Sequence, residues 1–190
     1  MGGMPDKDFL RNHFLIAMPA MGDPNFSRSV TLICEHNDDG ALGLVINRPL
    51  ELKLGDMLAH MKIEPSDLHL AEEPVMMGGP VQTERGFVLH GPPGEWDTTM
   101  PVSENIFVTS SRDILEAMAR GEGPEDAMVA LGYAGWGAGQ LEVEMKQNAW
   151  LSTPADKSIL FKVPIGERWA RAAQLLGVDL NTLSGDAGHA

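Results

Sequence analysis

The chain has 190 residues, 43% hydrophobic and 22% charged, the size and balance of one globular domain expected to span 1–190. A formal net charge of −13, with fourteen Lys and Arg residues of which no two are adjacent, opposes any surface that must neutralise phosphates and argues against direct DNA or RNA binding. The one cysteine excludes an internal disulfide and a cysteine-based zinc site, and fits a reducing, cytoplasmic setting.

Met1-Gly2-Gly3-Met4 does not match a myristoylation signal, because position 6 is Asp, and residues 1–8 read as a disordered end. Phe14 to Met18 is an apolar run stopped by Pro19 and reads as a buried first strand. It is too short for a signal-peptide core, and no basic region precedes it. Turn residues fill Met21 to Phe26. Ser29–His36 and Ala41–Ile46, joined by Asn37-Asp38-Asp39-Gly40, have the pattern of a β-hairpin. Leu54, Met57, Leu58 and Met61 recur at helical spacing, and that helix ends before Pro65.

Val75-Met76-Met77 predicts a brief strand running into Gly78-Gly79-Pro80, and Gly86–His90 predicts another. Pro92-Pro93-Gly94 opens a long loop holding Trp96, from which Asn105–Thr109 returns as a strand. Ser110 then caps a helix with Asp113 three residues on; Ile114, Leu115 and Met118 form its inner face and Gly121 stops it. Ala127–Tyr133 reads as a strand ending in a Gly135-Trp136-Gly137 loop. Gln140–Trp150 suits either period, and the lack of turn residues favours helix. Ile159–Val163 is expected to be a late strand; Trp169, Ala172, Ala173 and Leu176 mark a last amphipathic helix, which carries the closest cation pair, Arg168 and Arg171, and is stopped by Gly177. Residues 184–190 read as a frayed tail. No stretch approaches the ~18 apolar residues of a membrane span. Hairpins mixed with strand–helix units predict an α+β domain with a mixed or antiparallel sheet and about four helices.

Cys34 is the one soft nucleophile. In an extended strand residues 34 and 36 project to the same side, so His36 would sit beside the sulfur and stabilise a thiolate, while Asp38 and Asp39 oppose it. Cys34 equally continues the inward pattern of Val30 and Leu32 as a buried core residue, and both readings stay open. Asn47 and Arg48 stand where a strand becomes a loop; Arg48 has the fork to bind a carboxylate or phosphate, or to tie down a neighbouring loop. Gly78 and Gly79 admit a close approach by a ligand or by another segment. Gly135, Trp136, Gly137 and Gly139 offer amides for an anion cradle, but match neither G-x-G-x-x-G nor a P-loop. The six histidines have no metal-ligand rhythm, and no G-x-S-x-G elbow is present. No metal or cofactor is expected.

The strings Cys34-Glu35-His36 through Gly43-Leu44-Val45-Ile46-Asn47-Arg48-Pro49, Gly78-Gly79-Pro80, and Gly132-Tyr133-Ala134-Gly135-Trp136 through Asn148-Ala149-Trp150-Leu151 together resemble the bacterial AlgH/YqgE family. The resemblance covers roughly Phe9 to Leu176. It implies a compact single-domain α+β fold with a large, coiled mixed sheet, in a cytosolic bacterial protein. Members of that family carry a transcriptional-regulator label linked to alginate and virulence control, without a known biochemical activity or a nucleic-acid-binding motif. The family's cysteine, regarded as a possible functional thiol, falls on Cys34. The leading expectation is a regulatory or interaction protein with a protein or small-molecule partner, acting without touching DNA or membrane through a groove near Cys34, Arg48 and the Gly135-Trp136-Gly137 segment. Second is a thiol-dependent redox sensor or small transferase, with Cys34 as nucleophile, His36 as base, and the Gly137 and Gly139 amides as oxyanion donors. A direct transcription factor ranks third.

Overall fold

The computed structural model describes residues 9–93 and 95–179. The expectations for the two chain ends, and for Gly94, lie outside those residues. Among the described residues ten strands and six α-helices follow one another in the order β1 (His13–Ala17), β2 (Val30–Asn37), β3 (Gly40–Val45), β4 (Pro49–Lys53), α1 (Leu54–His60), α2 (Leu68–Ala71), β5 (Pro74–Met77), β6 (Val81–His90), β7 (Thr99–Pro101), β8 (Phe107–Thr109), α3 (Arg112–Ala119), β9 (Ala127–Gly137), α4 (Gln140–Lys146), β10 (Trp150–Pro154), α5 (Lys157–Phe161) and α6 (Arg168–Gln174). The strands form one curled sheet in the order β10-β1-β2-β3-β9-β6-β8-β7, with β5 beside β9 and β4 beside β5. Every pairing is antiparallel except β5 with β9. The expected α+β class with a large mixed sheet is what the chain forms.

A sheet this curled buries both faces, and β1 shows why its sequence is a continuous apolar run. Phe14 and Ile16 enter the main cluster, with Leu32, Leu44, Ile46, Met76 and Leu89. Leu15 and Ala17 enter a second cluster on the other face, with Ile33, Ala134, Trp136 and Trp150. The helices α1 and α3 close a third, packing Leu54, Leu58, Ile114 and Leu115 against Val75, Val88 and Val129. Strand β9 reaches all three, through Ala130, Ala134 and Val129.

Several elements differ from expectation. The Gly135-Trp136-Gly137 segment is not a loop: it is the end of β9, paired with Gly40–Leu42 of β3. Ile159–Val163 is not a strand. Asp156 accepts from the amides of Ser158 (2.8 Å) and Ile159 (3.3 Å) and caps α5, which a short apolar run alone does not reveal. The helix at Gln140 ends at Lys146, and Asn148 takes a left-handed φ of 61° before β10. Ser111, not Ser110, is the N-cap of α3; its hydroxyl donates to Asp113 (2.6 Å), and the two side chains accept from the Thr98 and Asp97 amides. Leu176 faces outward, so the buried face of α6 is Ala172, Ala173 and the inner part of Trp169, whose Nε1 donates to the Ala17 carbonyl at 2.9 Å.

Candidate functional site

Strand β2 carries a β-bulge that separates the two residues expected to work as a pair. Ile33 lies opposite Gly43, but Glu35 lies opposite Leu42 and His36 opposite Ala41, so Cys34 is the extra residue. The inserted position breaks the alternation that would put 34 and 36 on one side. Cys34 is fully buried in the main cluster beside Phe14, Leu32 and Leu44, and its thiol donates weakly to the Leu32 carbonyl at 3.7 Å. Burial, with the Glu35 carboxylate second, pushes this thiol up to about 12. His36 turns to the other face of the sheet. Its Nδ1 accepts the Leu10 amide at 3.1 Å, which places the proton of a neutral ring on Nε2. Nε2 stands 3.3 Å from Glu142 Oε2, off the hydrogen-bond direction, and the Phe9 ring covers the imidazole at 4.5 Å.

Asn47 and Arg48 tie down the segment between β1 and β2. Asn47 Oδ1 accepts the Val30 amide and its Nδ2 donates to the Arg28 carbonyl, both at 2.9 Å. Arg48 donates from Nη1 to the Pro24 carbonyl and from Nη2 to the Ser27 carbonyl, each at 2.6 Å. Gly78 and Gly79 are a close approach of backbone to backbone. A Cβ on Gly78 would lie 2.4 Å from the Gly132 carbonyl oxygen, and one on Gly79 would lie 2.1 Å from the Tyr133 carbonyl carbon. Gly78 bridges two strands there, donating to the Leu131 carbonyl and accepting the Val45 amide, both at 2.8 Å.

Trp136 is buried in the second cluster, packed edge-on to Trp150 at 6.2 Å. Glu144, a residue the sequence reading passed over, accepts the indole N–H of both tryptophans at 3.0 Å through one oxygen. The Gly137 amide donates to Gln140 Oε1 at 2.9 Å and so is already satisfied. Gly139 sits at φ 75° just before α4. A shallow hollow of about 550 Å³ touches Gly135 and Trp136, with Glu35 and Tyr133, but none of Cys34, Arg48, Gly78, Gly79, Gly137 or Gly139. The shared groove expected around Cys34, Arg48 and Trp136 is not formed, because these residues serve three separate packing junctions.

The site that the structure does form centres on Arg168. It is the first residue of α6, 7% exposed, and no carboxylate pairs with it among the described residues. Its Nε donates to the Val163 carbonyl at 3.0 Å, and its Nη1 to the Ile46 carbonyl and the Met128 sulfur. Among the described residues Nη2 has no acceptor, and it is not one of the sealed polar atoms. The guanidinium lines a cavity of about 510 Å³ whose walls include Leu70, Met76, Met118, Met128 and Phe161. Burial pulls its pKa down, yet an arginine keeps its charge at any ordinary pH. A buried cation that lacks a countercharge is costly by several kcal/mol; two carbonyls offset part of that cost, and an anion arriving at Nη2 offsets more. The mouth is acidic, with exposed Asp67, Glu73 and Glu125. In the sequence Arg168 looks like one half of a surface pair with Arg171. Only the fold turns it inward, to the Ile46 carbonyl 122 positions away.

Comparison with known proteins fits this architecture. A UPF0301 protein of Thioalkalivibrio sulfidiphilus is 66% identical over 179 residues, covering 94% of this chain and 96% of its own length. A UPF0301 protein of Nitrosococcus oceani is 56% identical over 182 residues, covering 96% and 97%. The solution structure of the AlgH protein from Pseudomonas aeruginosa superposes with a TM-score of 0.78 at 49% identity over 95% of each chain. The crystal structure of a Corynebacterium diphtheriae protein shares the fold alone, at 18% identity and a TM-score of 0.73 over 92% and 91%. The AlgH-like family model matches residues 14–181, so it takes in the curled sheet and α6 with Arg168 alike, and the chain belongs to that family, whose UPF0301 members are uncharacterised proteins.

Proposed function

We propose that this protein is a regulatory binding module that acts by recognising a small molecule or a protein partner rather than DNA, and that its seat is the Arg168 cavity. One observation carries the reading: a buried arginine, with no carboxylate partner among the described residues and with Nη2 unaccepted there, lines a cavity large enough for a small organic molecule. A buried charge without a countercharge is costly, so a ligand that supplies one is favoured there. The net charge of −13 supports the exclusion of DNA, and the use of a single cysteine supports a cytoplasmic setting. The surroundings of Cys34 lend the thiol reading no support, because desolvation and Glu35 both disfavour the thiolate.

The test is an NMR titration of the full chain with short monocarboxylates. Saturable shifts are expected at the amides of Met76, Met128 and Phe161 and at Arg168 Nε–H, with no retardation of DNA fragments at low salt. No saturable shift around the cavity with any carboxylate refutes the reading.

A further inference from the structure

The cavity is polarised from floor to mouth, and that polarity narrows what it takes. At the floor, Nε and Nη1 of Arg168 are already committed to Val163, Ile46 and Met128, leaving Nη2 alone. A ligand therefore meets the guanidinium at Nη2 alone, not through the bidentate fork that carboxylate and phosphate both use. The walls above are thioether and hydrocarbon, from Met76, Met128, Leu70 and Phe161. At the mouth, Asp67, Glu73 and Glu125 bring three carboxylates, and none of them forms an ion pair among the described residues. Asp67 uses one oxygen to cap α2, accepting the His69 amide at 2.8 Å. A phosphate dianion entering past these groups is repelled twice over, by charge at the mouth and by desolvation inside. A cation alone is drawn to the mouth but repelled by Arg168.

We infer that the cavity takes a zwitterion with an apolar middle, such as an ω-amino acid or a short apolar peptide: its carboxylate accepts from Arg168 Nη2, its methylene or side-chain body lies against the methionines, and its ammonium ends among Glu73, Glu125 and Asp67. This rests on the reading of the cavity as the ligand seat and adds the chemical class. Complementary charge at both ends favours the zwitterion over a simple fatty acid, which meets only Arg168, and over a simple amine, which Arg168 repels.

The experiment is calorimetric titration of the full chain with four probes: 6-aminohexanoate, hexanoate, hexylammonium and inorganic phosphate. 6-Aminohexanoate is expected to bind at least tenfold tighter than hexanoate, with hexylammonium and phosphate giving no saturable heat. The paired substitution Glu73→Gln with Glu125→Gln, on exposed side chains that leave the core untouched, is expected to erase the tenfold preference, with hexanoate bound no more weakly because the mouth no longer repels its carboxylate. Arg168→Met is expected to abolish binding of both carboxylates; should that variant fail to fold, the mouth variant alone decides. Equal affinity for hexanoate and 6-aminohexanoate overturns the zwitterion and leaves the carboxylate seat standing. Absence of binding by every probe overturns the seat itself, and phosphate binding tightest of the four overturns the proposed class.

Discussion

Native Cys34 should resist alkylation by about three orders of magnitude. The thiolate is the reacting species. At pH 8 a thiol that titrates at its ordinary 9.0 is about one-tenth ionised, whereas one raised to about 12 is ionised to about one part in ten thousand, which alone slows reaction about 1,000-fold. The sulfur is also without solvent contact, so a second route runs through local opening of β2. A 1,000-fold protection by that route corresponds to an opening free energy of about 4 kcal/mol, within reach of a strand paired on both sides by β1 and β3. The assay is iodoacetamide labelling followed by intact mass, run on native protein and in urea at the same pH. Direct reaction should climb about tenfold per pH unit from 8 to 10, whereas reaction through opening levels off near the ordinary 9.0, so the pH profile separates the two routes. Native labelling within tenfold of the unfolded rate, with the fold intact by circular dichroism, would refute both the burial argument and the sign given to the thiol's pKa.

Gly79→Ala should exceed the ~1–3 kcal/mol of ordinary overpacking, since the new Cβ meets Tyr133 and Ala134 backbone at 2.1–2.3 Å; Gly22→Ala, with nothing within 4 Å, is the neutral control, both read by urea denaturation. Trp169→Ala should cost about 3 kcal/mol, the lower end for a tryptophan truncation, because the ring is half-buried while it keeps a bond to Ala17 and an Arg28 guanidinium at 5.0 Å; a loss under about 1 kcal/mol removes α6 from the core. His90 is buried with Nδ1–H donating to the Gly91 carbonyl and Nε2 accepting from Thr109, both at 2.7 Å, and desolvation lowers its pKa below 6.5 against a smaller opposing effect of the Gly91 bond. The unfolded chain then binds this proton first, so the His90 contribution is present above pH 6.5 and is lost as pH falls from there towards the folded pKa; urea midpoints at pH 7.5 and 5.5 should differ less in His90→Gln than in the parent.

Where the chain announces an element through local chemistry, the reading and the structure agree. The Asp38-Asp39-Gly40 turn between two apolar runs gives the β2–β3 hairpin, with Asn37 opposite Gly40, and the amphipathic spacing of Ile114 and Leu115 gives α3. What escapes is what depends on a neighbour. The bulge at Cys34 is a property of the β2–β3 pairing, and no residue type marks it. The glycines around Trp136 look like loop residues because glycine has no side chain to declare a face; here Gly40 opposite Gly137 admits backbone that any Cβ on Gly40 would strike at 2.2 Å. The Asp156 cap was a legible signal for α5 that the apolar run beside it outweighed. Arg168 gave no signal at all, since its partners belong to the residue just after β3, to β9 and to the turn after α5.

The string that marks the family and the cavity that the fold builds meet in one place. Val45 donates its amide to Gly78, Ile46 donates to Val30, Asn47 clasps Val30 and Arg28, and the Arg48 carbonyl accepts from Met77. Four consecutive residues thus hold β2, the loop before it and the glycine bridge to β9. The carbonyl of Ile46, the second of the four, is taken by Arg168 Nη1. In the proposed reading, an anion accepted at Nη2 shares the compensation of the guanidinium with this strand end, relieving charge that Ile46 and Val163 otherwise bear alone. Ile46 is covalently continuous with Asn47 and Arg48, and Arg48 pins the 24–28 segment, in which Pro24 and Arg28 are exposed and residues 25–27 half-buried. In the proposed reading, this chain of hydrogen bonds is the connection between a ligand held at Arg168 and the segment before β2.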